Sequence, residues 1–142
     1  WTSEFRNKLT NAAIVVGDIL FRDPTDDKYK KAVNGSAGDF VVALKDAATT
    51  DPRVEVLSKK GVPVSLTVGT GATLEPHDFV KVDASNNVIP WVAGTDKSNL
   101  CVGQYNQTVS GTKADATTAL GNATQGQTVY IELGRVPEQD LP

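Results

Sequence analysis

The chain has 142 residues, with 14 Lys and Arg against 17 Asp and Glu and a formal net charge of −3. That length suits one domain with a single core, and the evenly spread, weakly acidic charge excludes the concentrated basic face that phosphate binding needs. No run reaches the ~18 apolar residues of a membrane span and no basic start precedes an apolar segment, so neither a spanning helix nor a signal peptide is expected; a start at Trp1 is compatible with removal of a preceding segment.

Residues 1–11, WTSEFRNKLTN, place Trp1, Phe5 and Leu9 four apart, a spacing that fits one helical face in a segment too short to be stable alone. They are read as an N-terminal arm that either packs on its own domain or docks on a partner.

From Ala12 to Phe21 comes an apolar run rich in β-branched residues, followed by Asp23-Pro-Thr-Asp-Asp27. Proline fixes φ and Asp side chains satisfy nearby backbone groups, so this cluster predicts a hairpin tip, with Lys28–Val33 as the return strand. Phe40–Leu44, Val54–Leu57 and the alternating Gly61–Val68 read as further strands.

Gly69-Thr-Gly-Ala-Thr73 links this half to the next and lacks the Lys-Ser/Thr and the helix of a phosphate loop. Then much of the pattern returns. GDILFRDPTDDKYKKAV (17–33) aligns with HDFVKVDASNNVIPWVA (77–93) at an offset of 60, placing Asp18 on Asp78, Leu20 on Val80 and Asp23 on Asp83. Asp39, Phe40, Val41 and Val42 fall on Asn99, Leu100, Cys101 and Val102. Strands are expected at Asp78–Val82, Val88–Val92, Leu100–Tyr105 and Val129–Leu133, with a hairpin tip at Asp83–Asn87.

Residues 109–124, VSGTKADATTALGNAT, form a Thr-rich insert read as a long loop or one short helix. Residues 136–142 read as an extended tail. The expected architecture is all-β: a small barrel or sandwich, residues 12–135, built from two pseudo-repeats of about 60 residues (15–70 and 75–134), with an extended N-terminal arm at 1–11.

The residues offer little chemistry. One His and one Cys, with no motif joining them, fall short of a nucleophile–base pair or a zinc site. His77 stands where the first half has Gly17, at a turn; Cys101 aligns with Val41 and reads as a buried small hydrophobe. Asp18, Asp23, Asp26 and Asp27 crowd one hairpin without the spacing of a calcium loop; Asp18 and Asp78 are expected to accept turn hydrogen bonds. Lys28, Lys30, Lys31, Lys59 and Lys60 read as solvated faces. No catalytic, metal or cofactor residue is assigned. Three sequons, at Asn34, Asn106 and Asn122, together with Trp91, Tyr105 and the Thr-rich insert, support an alternative: a secreted or surface β module binding carbohydrate or a receptor.

Residues 71–91 (GATLEPHDFVKVDASNNVIPW), Leu100-Cys-Val-Gly103 and Gln125-Gly-Gln-Thr-Val-Tyr-Ile-Glu-Leu133 resemble the capsid cement, or head decoration, proteins of tailed bacteriophages. Phe40–Ala47 and Val54–Gly61 are similar to the same pattern, and the likeness spans most of residues 15–134. His77 replaces the glycine usual in that family, and the 109–124 insert has no counterpart there. The resemblance implies a non-enzymatic virion protein, commonly a homotrimer, that binds the major capsid protein on the capsid exterior and stabilises the shell, with neither nucleic acid nor membrane as partner. Within that reading Trp1, Phe5, Arg6 and Leu9 of the arm are the expected capsid contacts, since large apolar groups outside a repeated core suit anchors.

Overall fold

The computed structural model describes residues 3–7, 13–108 and 121–137, those at 3–7 and 107–108 by their backbone alone. These residues form an all-β fold. Its first sheet contains β1 (Ser3–Asn7), β2 (Ile19–Asp23), β3 (Lys28–Lys31), β4 (Val41–Ala43) and β5 (Arg53–Leu57) in the order β1-β5-β4-β2-β3. Every pairing is antiparallel. The edge strands β1 and β3 lie against one another, so the sheet curls toward a barrel.

The second sheet takes β6 (Pro63–Thr67), β8 (Phe79–Val82), β9 (Val88–Pro90), β10 (Gly103–Thr108) and β12 (Thr128–Leu133) in the order β6-β12-β10-β8-β9. Numbered within its own half, each sheet reads first, fifth, fourth, second, third. A parallel bridge between Val68 and Val88 joins the two edges of the second sheet. A two-stranded ribbon, β7 (Thr73–Leu74) with β11 (Ala123–Thr124), adds Leu74 and Ala123 to the larger apolar cluster.

Strand alternation explains how the first sheet feeds two apolar clusters, one inside its own curl and one shared with the second sheet. In the first sheet Leu20, Val41, Ala43, Val54 and Val56 point into the barrel with Tyr29, Ile14 and Ala47. Their neighbours Ile19, Val42 and Leu57 point the other way, into a larger core built from Val64, Leu66, Val80, Val82, Val88, Tyr105, Val129, Ile131 and Leu133. A strand buried on both faces reads as a continuous apolar run, which is what Val41-Val42-Ala43 shows. In the second sheet one face is solvated, and Thr128–Leu133 alternates accordingly, with Val129, Ile131 and Leu133 buried. Each fully buried aliphatic side chain contributes about 1.5–3 kcal/mol against exposure.

Several sequence expectations are corrected. Ser3–Asn7 is a strand, not a helical face: β5 offers it a ladder from Ser3↔Leu57 to Asn7↔Arg53, which a lone helical turn could not match. The apolar run before Asp23 is broken at residues 15–17, where Gly17 has φ 92 and the Asp18 carboxylate accepts the Val15 N–H at 2.9 Å, so β2 starts only at Ile19. Leu100 closes a 3-10 turn, Ser98–Leu100, ahead of β10. That turn lengthens the linker to 91–102 against 32–40 in the first half, and Phe79 pairs with Gln104 where Ile19 pairs with Val42. Val42 therefore corresponds in space to Gln104 rather than Val102. Residues 109–120 of the insert lie outside the described residues; its last residues form β11.

Candidate functional site

The corners that start β2 and β8 are built alike. Gly17 donates to the Ala43 carbonyl and His77 to the Tyr105 carbonyl, both at 2.8 Å; Ala43 and Tyr105 donate back to the Asp18 and Asp78 carbonyls. Asp18 and Asp78 each accept, through Oδ2, the N–H three residues earlier, from Val15 and Glu75. Both carboxylates thus take the turn role expected of them. His77 sits at φ 71 where Gly17 sits at φ 92, so the histidine occupies a left-handed position that a side chain disfavours.

Around His77 runs a polar row across the outer face of the second sheet. Asn106 Nδ2 donates to Glu132 Oε1 at 2.7 Å and to Gln104 Oε1 at 3.3 Å. Its Oδ1 therefore faces His77 Nδ1, 3.1 Å away, and that ring nitrogen is the donor. Glu132 also accepts from Arg135 Nε at 2.6 Å, and the Asn106 hydrogen bond first, then Arg135, holds its carboxyl below the usual range. The row places no nucleophile beside a base. Asn106 is committed to these bonds and is half-buried on β10, which disfavours its sequon as an attachment site.

The acidic hairpin is taken up internally. Lys30 Nζ lies 2.6 Å from Asp23 and 3.1 Å from Asp26, Arg22 Nη1 lies 2.6 Å from Asp27, and Lys31 lies 3.5 Å from Asp18. Tyr29 donates its hydroxyl to Asp39, which also sits 3.7 Å from Arg22 Nε. The hydrogen bond from Lys30, reinforced by the Thr25 N–H, pulls the Asp23 carboxyl down to about 2. Among the described residues no three His, Cys, Asp or Glu gather as a metal site.

Where the connections 32–40, 58–62 and 91–102 meet the chain after β12, a cleft of about 350 Å³ is lined by Asp39, Phe40, Lys60, Asn99, Cys101 and Val136, among others. Cys101 is 3 % exposed, as a buried small hydrophobe should be, and burial pushes its thiol up to about 12, so it is inert there. Asp96 forms a second enclosed ion pair, 2.8 Å from Lys81. Burial works to raise the Asp96 carboxyl, but the Lys81 and Val92 hydrogen bonds outweigh it and leave it lowered.

The aromatic residues of the carbohydrate reading are placed differently from one another. Tyr105 is fully buried, its hydroxyl donating to the Gly121 carbonyl at 2.6 Å. Trp91 is half-buried on the outer face, edge-on to Phe79 at 6.1 Å, with its indole N–H on the Lys97 carbonyl. They do not form a shared stacking platform. Of the expected anchors, Phe5 and Arg6 lie on β1 opposite Glu55 and Val54 in the backbone register. Trp1 and Leu9 lie outside the described residues.

The sequence signal that was missed belongs to Asn86. Its side chain accepts the Ile19 N–H at 2.9 Å and donates to the Ile19 and Ala32 carbonyls at 2.9 and 2.8 Å, fastening the second hairpin to the first sheet. Only its Asn identity at a tip where the other hairpin has Asp hinted at this.

No protein-family profile matches the chain, and no curated protein sequence matches it. Among solved structures it is similar to the N base of the head fiber protein gp8.5 of bacteriophage phi29, with a TM-score of 0.58 and 17% identity over 99% of this chain and 98% of that one. At that identity the likeness is one of fold.

Proposed function

We propose that the chain is a non-enzymatic structural protein of a tailed-phage virion that binds the exterior of the assembled capsid and stabilises it. The observation that carries this reading is the fold likeness to a head fiber base, which runs through both chains from end to end. The polar clusters agree with it: each is consumed in ion pairs and turn bonds rather than left poised for catalysis. Assembly as a homotrimer fits the same role, because several weak contacts per trimer become effectively intramolecular once one has formed.

Trp1, Phe5, Arg6 and Leu9 are the proposed contacts with the major capsid protein. Because β1 is already paired with β5 and lies against β3, the contact is through side chains rather than through a strand added at 3–7.

The test is co-sedimentation of the purified chain with capsids that lack it, with its mass measured separately by analytical ultracentrifugation. Pelleting of a trimer, with a higher temperature of capsid disruption, is expected, and pelleting should fall in Trp1→Ala/Leu9→Ala. These substitutions are preferable to deleting residues 1–10, which would remove a strand of the first sheet. A monomer that stays in the supernatant overturns the reading.

A further inference from the structure

The two hairpin tips differ in a way that points to a partner. Each carries one left-handed residue, Asp27 at φ 60 in the first and Asn86 at φ 63 in the second. Each opens with the same bond, Thr25 N–H to Asp23 Oδ1 at 2.9 Å and Ser85 N–H to Asp83 Oδ1 at 2.8 Å. Asn86 uses its amide to fill the gap between the Ile19 N–H and the Ala32 carbonyl at the start of the β2–β3 ladder.

The second sheet repeats the receiving surface. Trp91 N–H donates to the Phe79 carbonyl at 2.7 Å, as Ala32 N–H donates to the Ile19 carbonyl at 2.9 Å. Among the described residues no side chain bonds the Phe79 N–H or the Trp91 carbonyl. Beside them Phe79 and Trp91 are half-buried and Val92 is 48% exposed, where the first sheet's corresponding face is sealed by the second sheet.

We propose that this Phe79–Trp91 corner is an interaction surface for a β-hairpin tip of another protein that presents an asparagine in the left-handed conformation. The amide is required because the site needs an acceptor for one N–H and donors for two carbonyls, which a carboxylate cannot supply. A second copy of the chain does not fit, since its free tip bears Asp27, held by Arg22 at 2.6 Å. The same substitution that leaves the corner open therefore keeps copies from stacking head to tail.

The chain's own second tip supplies the probe. A disulfide-cyclised peptide carrying the sequence of residues 82–88 is titrated into the isotopically labelled full chain and followed at the Phe79 amide and the Trp91 indole resonances. Shifts at both are expected, with affinity reduced about tenfold or more when the peptide carries Asn86→Asp. A full-length Arg22→Ala/Asp27→Asn variant should in addition self-associate in sedimentation velocity, and Val92→Glu in that background should reverse it. Absence of peptide shifts at Phe79 and Trp91, or equal shifts from the Asn and Asp peptides, overturns the proposal; if the double variant does not fold, the peptide result decides alone.

Discussion

Asn86 and Ile19, 67 residues apart in sequence, are joined by two hydrogen bonds of 2.9 Å, one in each direction. With the third bond to Ala32, one side chain secures the second hairpin against the first sheet. Hydrogen bonds of this kind contribute about 0.5–1.5 kcal/mol each, so Asn86→Gly, which tolerates φ 63, is expected to cost roughly 2–4 kcal/mol in urea unfolding. Asn86→Asp should cost at least as much, because it sets a carboxylate against two carbonyl oxygens. Equal midpoints for wild type and both variants would show that this fastening is not energetically relevant.

The Asp23–Lys30 pair makes a pH prediction with a definite sign. The Asp23 carboxyl is lowered to about 2 in the folded chain, against about 3.9 when unfolded. Its contribution is therefore fully present above about pH 4 and is lost as pH falls through about 2. Lys30 is raised by the same partner, then by Asp26, so its contribution is present below its unfolded pKa of about 10.4 and is lost as pH rises through the higher folded value. Denaturant midpoints measured from pH 2 to 11 should fall at both ends, and Asp23→Asn should flatten both limbs.

Much of the fold was legible because its signals are local. Asp23-Pro-Thr-Asp-Asp27 and Asp83-Ala-Ser-Asn-Asn87 make turns through bonds within five residues, and the β12 alternation mirrors a sheet with one wet face. What was not legible depends on distant partners. Nothing in residues 3–7 announces β5 as their ladder, and nothing near Asn86 announces Ile19. The side on which Val42 and Gln104 stand depends on a linker lengthened by the Ser98–Leu100 turn, which shifts strand correspondence without altering the motif around it. The candidate surface at Phe79 and Trp91 was unreadable for the same reason: it emerges only when the two hairpins are compared in space.

Cys101 provides a probe of local opening. Its thiol is buried and pushed up to about 12, first by desolvation, so the thiolate that reacts with disulfide reagents is scarce at neutral pH. In native buffer the chain should not react with such a reagent over hours, and in denaturant it should release one equivalent at once. Rapid native labelling would show that the cleft beside Cys101 opens to reagent.

Gly103 tests how closely the strands of the second sheet approach. It is the first residue of β10, paired with both Val80 and Leu133. A Cβ built there would overlap the Glu132 carbonyl oxygen and sit 2.8 Å from Ile131 Cγ2. Neither neighbour can yield cheaply: one is backbone in the β10–β12 ladder, the other a fully buried core side chain. Gly103→Ala is therefore expected to cost about 3 kcal/mol or more, the upper range for overpacking. Gly121→Ala is the control, since a Cβ there meets nothing within 4 Å, and its effect should stay within about 0.5 kcal/mol. Thermal or urea unfolding of the two variants in parallel separates close approach from a general intolerance of added methyl groups. Equal, small effects at both positions would mean that β10 and β12 can move apart without loss.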